Sequence, residues 1–171
     1  MDNWKLEFAR ADRWLDFEPA NRALADDRLA RIVADSVFHF AGDRYDLLAF
    51  VVMPSHIHWL FHPTEAWVAS LLAGPPTPPE RIMQSLKRWT ARRCNQLLGK
   101  GGTFWQQESY DHWVRDVDEL ERIILYIEAN PVKAGLVDSP EKWLYSSAAV
   151  RHRLGLKLGC PLLKAHWPIV G

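Results

Sequence analysis

Two histidines two positions apart, His56 and His58 in the stretch HIHWLFH, have the residue type and spacing for metal chemistry. In an extended strand, residues i and i+2 leave the same face, about 7 Å apart at the backbone. Both imidazoles can then converge on one ion while Ile57 points to the other face, into the core. Two histidines resting on a sheet surface with their hydrogen bonds met have the same spacing, so the pair alone is half a site. His62 lies further along the same face as a neighbour rather than a ligand. The other half comes from LYIEANP, where Tyr126 and Asn130 are one helical turn apart and stack on one helix face. The Asn130 amide oxygen would supply an oxygen ligand of the kind that Mg2+ or Mn2+ requires. The Tyr126 hydroxyl would then lie beside a phosphate held by the same ion, placed to attack phosphorus in line while the ion takes up developing charge. A phenol has a pKa near 10, so the ion or a neighbouring base must help remove its proton.

These side chains need elements to hold them. Leu24 to Phe40 carries Leu29, Ile32, Val33 and Val37 at helical spacing and predicts an amphipathic helix. Before it, WKLEF (Trp4–Phe8) is the sole strand candidate. Tyr45–Met53, YDLLAFVVM, predicts a buried strand. Pro54-Ser55 breaks it and HIHWLFH resumes, which suggests two adjacent antiparallel strands at the middle of a sheet. The loop Ala73–Pro79, AGPPTPP, reads as a flexible connection. Glu80 to Leu98 predicts a second helix, with Ile82, Met83, Leu86, Trp89, Thr90 and Cys94 inward and Arg81, Lys87, Arg88, Arg92 and Arg93 largely outward; Gly101-Gly102 ends it. A third helix is expected from Val117 to Ala129, with Asp116 or Asp118 near its N-cap and Pro131 just beyond its end. From Val132 onward there are short apolar pieces between turns, and RHRLGLKLGCPLLKAHWPIVG contains no recognisable motif. Helices interleaved with a few strands indicate an α+β sandwich of helices on one sheet.

Composition narrows the function classes. A chain of 171 residues, 48% apolar, fits one domain with a real core. It holds no apolar run of the roughly 18 residues that a membrane span needs, and its first residues lack a basic-then-apolar leader; the cytoplasm is the expected compartment. Cys94 and Cys160 read as plain thiols, and most of the nine tryptophans, Trp59 and Trp143 especially, as core. The net charge is zero but polarised. Residues 1–80 hold 7 Lys and Arg against 12 Asp and Glu, and residues 81–171 hold 14 against 9, so a basic face is available in the second half.

The segments VVMPSHIHWLF, SLKRWTARRCNQLLGKGGTFWQ, YDHWVRDVDELERIILYIEANPVKAGLV and WLYSSA, in that order, resemble the single-tyrosine His-hydrophobic-His transposases, most of all the REP-associated tyrosine transposases. The resemblance runs from Leu24 to Ala148 of one catalytic domain, residues 1–171, leaving 1–23 and 149–171 as extensions. It implies a ferredoxin-like antiparallel sheet with helices packed on it. It also implies a divalent metal, Mg2+ or Mn2+, on His56, His58 and Asn130, and a Tyr126 nucleophile that forms a covalent 5′-phosphotyrosine and releases a 3′-hydroxyl. The implied substrates are single-stranded DNA hairpins formed by palindromic repeats; both homodimers with shared active sites and monomers occur among such proteins. Arg81, Lys87, Arg88, Trp89, Arg92, Arg93 and Arg115 are candidate DNA contacts through phosphate pairing and base stacking. Tyr110, beside Asp111 and His112, is a rival nucleophile, but the residue one turn on is Val114, which carries no ligand atom. Two other functions remain open. One is a non-cutting domesticated binder of structured DNA or RNA. The other is a hydrolase that activates water with His56, His58 and Asp111, which would form no protein–DNA adduct.

Overall fold

Strand β1 (Leu6–Ala9) is followed by α1 (Asp27–His39), β2 (Tyr45–Val52), β3 (Ile57–Pro63), a short α2 (Glu65–Ala69) and α3 (Pro78–Leu98). Strand β4 (Asp111–Val114), α4 (Val117–Lys133) and α5 (Ser147–Leu154) complete the main elements. This is a computed structural model, and it describes residues 6–9, 22–105, 111–114 and 116–167. The four strands form one antiparallel sheet in the order β2-β3-β1-β4. That order, with α1 between β1 and β2 and α3 between β3 and β4, is the ferredoxin-like arrangement. Leu6, Glu7 and Phe8 of WKLEF therefore lie in a central strand, with Glu7 opposite Phe61 on one side and Trp113 on the other; Trp4 and Lys5 lie outside the described residues.

Alternation along β2 and β3 divides the core between two faces of the sheet. Phe50, Val52, Trp59 and Phe61 pack with Leu29, Val33 and Val37 of α1 and Ile82, Leu86 and Cys94 of α3. On the opposite face Ala49, Val51 and Leu60 meet Ile124 and Ile127 of α4. The result is three layers, α1 and α3, then sheet, then α4. Each helix begins with a cap that satisfies otherwise unpaired N–H groups: Asp26 accepts from Arg28 at α1, and Asp116 accepts from Glu119 at α4, 2.7 Å away. At α3, Thr77 and Glu80 form a reciprocal capping box, and hydrogen bonds to Thr77 hold the Glu80 carboxyl below its ordinary pKa.

Several expectations need correction. The first helix starts at Asp27, with Leu24 in a separate 3-10 turn. Strand β2 lies at the sheet edge, not its middle, and its outer side is covered by the chain's own C-terminal segment: Val51 bridges Ser146 and Leu47 bridges Leu162. The described part of the tail without a motif is thus tied to the core, with Leu162 fully buried. Trp167 stacks on Phe38 with ring centroids 4.9 Å apart. The third helix runs past Ala129 to Lys133 with Pro131 inside it. A proline forfeits one ladder bond, but only the last turn is affected, and Pro131 is itself buried against the core. The Ala134 N–H to Asn130 carbonyl and Leu136 N–H to Pro131 carbonyl bonds close that end. On α3, Trp89 faces outward, 49% exposed, because the buried stripe keeps strictly to Ile82, Leu86, Thr90 and Cys94.

Candidate active site

The turn Pro54-Ser55 reverses the chain so that His56 enters β3 beside the end of β2, where Met53 N–H bonds the His56 carbonyl at 2.8 Å. His58 pairs in register with Val51, and paired residues share a face, so His58 lies on the α4 side of the sheet. Both rings are buried, and their Nε2 atoms lie 2.9 Å apart. The His56 Nδ1 is 3.0 Å from the Ser55 hydroxyl. Helix α4 brings Tyr126 to the same place: its ring meets the His58 ring edge-on, centroids 6.2 Å apart. Asn130, one turn further, donates from its amide nitrogen to the Tyr126 carbonyl at 3.0 Å, which leaves its amide oxygen as the atom that can turn toward a ligand. The Lys133 ammonium lies 4.2 Å from the Tyr126 ring centroid.

This donor set fits a divalent ion. The two imidazoles bring their Nε2 atoms within 2.9 Å of each other, hydrogen-bonding distance, and imidazole nitrogens so paired are donors of the kind a divalent metal takes. With an ion bound at the Nε2 atoms, His56 would carry its proton on Nδ1 and could donate it to Ser55 Oγ, 3.0 Å away, an outer hydrogen bond of the kind that usually orients a ligating histidine. Among the described residues, no group of three or more His, Cys, Asp and Glu could hold a metal, and an amide or hydroxyl oxygen is the further donor type that stands near the two imidazoles.

The remaining expected site residues fall elsewhere. Helix α3 packs through Ile82, Leu86 and Cys94 onto the face opposite the histidines, so the sheet separates its cationic side from His56 and His58. Arg88, Arg92 and Arg93 are exposed, and Lys87 is half-buried. The Arg93 guanidinium is 5.8 Å from the Trp89 ring. Arg81 is tied down at the start of the helix, donating to the Pro76 carbonyl at 2.7 Å and to Gly74 at 3.4 Å. Arg115 and Tyr110 lie outside the described residues. Asp111 is in β4, opposite Ala9 of β1, which faces Trp59 of β3; two strand spacings, about 9–10 Å, separate its backbone from β3. Three contacts escape a reading of the residues alone: Ser55 on His56, Lys133 over Tyr126, and the buried Glu128 on the other flank of α4. The first two had a signal, a hydroxyl adjacent to a strand histidine and a cation two turns past the tyrosine.

A ferredoxin-like sheet carrying a His-hydrophobic-His pair, faced by a tyrosine on a helix across it, is the class of protein these elements define. No family model matches the chain. The chain is similar to a protein of Haemophilus influenzae provisionally named REP-associated tyrosine transposase, 27% identical over 103 residues. That match covers 60% of this chain and 58% of that protein, so the chain spans less than two thirds of its relative. It is also similar to the solved structure of a REP-associated tyrosine transposase bound to a REP hairpin, with a TM-score of 0.58 and 20% identity over 90% of this chain and 81% of the other. At that identity the structural likeness shows the fold. Both relatives carry the family name that the motifs resemble. Among the described residues no helix is long and apolar enough to cross a membrane.

Proposed function

We propose that the chain is a metal-dependent single-stranded DNA nicking and joining enzyme, a transposase-type strand transferase that acts on hairpin DNA of palindromic repeats. The observation that carries this reading is the convergence of His56, His58 and Tyr126 on one side of the sheet, with the two Nε2 atoms 2.9 Å apart and the tyrosine ring against His58. In the reaction the Tyr126 hydroxyl oxygen attacks a backbone phosphorus. The new bond joins that oxygen to the 5′-phosphate, the bond from phosphorus to the 3′ oxygen breaks, and the tyrosine proton is balanced by the one taken up on the departing 3′-hydroxyl. Attack by that 3′-hydroxyl, or by another, on the phosphotyrosine rejoins a strand and restores the phenol. His56, His58 and the Asn130 amide oxygen would hold Mg2+ or Mn2+, which supplies charge neutralisation at the phosphate. Ser55 orients His56, and Asn130, through its bond to the Tyr126 carbonyl, keeps its oxygen turned outward. The cationic side of α3, with Arg88, Trp89, Arg92 and Arg93, suits phosphate contact and base stacking. Because it lies on the other face, the hairpin and the scissile strand would sit on opposite sides of the sheet.

The test is a denaturing gel of the protein incubated with a hairpin oligonucleotide and Mn2+. A covalent adduct is expected from the wild type and none from Tyr126→Phe at any metal concentration. His58→Ala is expected to lose the adduct at low metal and to regain part of it at high metal. An adduct from Tyr126→Phe that disappears in Tyr110→Phe would overturn the nucleophile assignment. Hairpin binding without cleavage would mark a non-cutting binder, and cleavage without an adduct would mark hydrolysis by water.

A further inference from the structure

Helix α4 bears a carboxylate where an amphipathic helix ordinarily carries apolar atoms. Glu128 is 7% exposed, and it forms an ion pair with Arg151 of α5, itself 5% exposed. The fully buried Ser147 donates to the same carboxylate oxygen at 2.6 Å. Arg151 also donates to two backbone carbonyls, Leu48 and Cys160, the latter at 3.2 Å. Leu48 is the extra residue of a bulge, since Leu47 faces Phe61 and Ala49 faces Leu60. A bulge leaves a backbone group outside the ladder, and here the guanidinium takes up that carbonyl. One charged pair thereby joins α4, the β2 bulge, α5 and the C-terminal segment.

Its place on the helix gives it a second consequence. Ile127 marks the centre of the buried face of α4. At 100° per residue, Tyr126 and Glu128 lie on opposite flanks of it. The Glu128 flank is fixed over the outer edge of β2, and the Tyr126 flank faces His58 on β3. An apolar stripe such as Ile124 and Ile127 is non-directional and tolerates a small roll of the helix; a buried ion pair with three directed hydrogen bonds does not. A roll of about 10° moves a group about 6 Å from the helix axis by about 1 Å, and a displacement of that size costs on the order of 10²-fold in rate when it misaligns a nucleophile.

We propose that Glu128, Arg151 and Ser147 are positioning residues that set the roll of α4 and so aim the Tyr126 hydroxyl at the site of His56 and His58. This inference rests on Tyr126 being the nucleophile. Removing one partner leaves a buried charge unpaired and destabilises the fold, whereas replacing both with apolar groups of similar size is often tolerated. The test is therefore the double variant Glu128→Met/Arg151→Leu, with Arg151→Lys as a milder variant that keeps the charge but loses the planar fork to Leu48 and Cys160. Three quantities are measured: thermal unfolding, the single-turnover rate of adduct formation on a saturating hairpin oligonucleotide, and the proton cross-relaxation between the Tyr126 and His58 rings by NMR. Cooperative unfolding, unchanged hairpin affinity, a rate about 10²-fold lower and weakened ring-to-ring cross-peaks are expected of the double variant. Arg151→Lys is expected to fall between it and the wild type. A folded variant, double or single, with wild-type rate and wild-type cross-peaks would overturn the inference. If the wild type itself forms no adduct, the proposed function fails, and the cross-peaks still decide whether this pair sets the position of Tyr126.

Discussion

Replacing Arg88 and Arg92 together by alanine tests whether α3 meets DNA. Both are exposed and lie one turn apart, about 6 Å along the axis. Among the described residues no ion pair joins either of them to a carboxylate. Cations left without an ion-pair partner among the described residues are able to displace counterions from DNA. For a single strand each phosphate contact contributes about 0.7 to the slope of log K against log salt, so losing two lowers the slope by about 1.4. In the same description two contacts contribute about 25-fold to affinity at 0.1 M salt, and the wild-type advantage shrinks about sevenfold between 50 and 200 mM. The assay is fluorescence anisotropy of a labelled hairpin oligonucleotide over a salt series. Lys142→Ala serves as the control, because it removes a cation whose charge is already met by Asp138 at 2.6 Å. Parallel salt plots for wild type and the double variant would refute the reasoning and leave these arginines as a solvated surface. A slope lowered equally by Lys142→Ala would show that net charge, rather than this helix, governs binding.

Loss of the N-cap in Asp116→Ala is expected to cost about 1 kcal/mol, read as a fall of about 2–4 °C in unfolding temperature; no change would mean that water replaces the cap at Glu119 without penalty. The Cys94 thiol, fully buried, is pushed by burial from its ordinary value near 9 up to about 11. A raised value in the folded state means that the unfolded chain gives up the proton first. Stability therefore falls as pH rises from about 9 to 11, by on the order of 2 kcal/mol at 1.36 kcal/mol per unit. Denaturant titrations of wild type and Cys94→Ala across that range measure it, and an alkaline decline of the same size in both would assign the effect to other groups.

What the sequence made legible was whatever depends on local period. The i, i+2 histidines and the one-turn spacing of Tyr126 and Asn130 fix which side chains share a face, and the structure places His58 and Tyr126 in contact. Pairing is a different matter, because it is set by residues far along the chain. Strand β2 has apolar residues on both faces and so reads as central, yet its edge position depends on β3 alone reaching its other side. The segment around Asp111–Val114 shows no apolar alternation, and its strand is defined by the register with β1. Glu128 carries no local signal of burial, because its partner Arg151 lies 23 residues away, on a helix whose buried face includes a serine and an arginine and forms no apolar stripe. Trp89 departs from the expected inner face for a smaller reason: it is one residue off the strict four-residue stripe, enough to turn an indole outward.

The covered edge of β2 bears on how the protein behaves when it is concentrated or damaged. YDLLAFVV is a β-prone, apolar strand of the sort whose open edge templates pairing with other chains. Here its outer groups are engaged one by one: Leu162 N–H on the Leu47 carbonyl, Arg151 on Leu48, Ser147 on Phe50, Tyr145 accepting from Val52 N–H, and the Trp143 indole on the Val52 carbonyl. A proteolytic nick in the stretch from Gly155 to Cys160 would release Leu162 and loosen the grip on Leu47 while leaving the histidines and Tyr126 in the chain. The first sign of such damage would be self-association along β2, with fibrillar or amorphous aggregates forming from molecules that still contain every described residue of the candidate site.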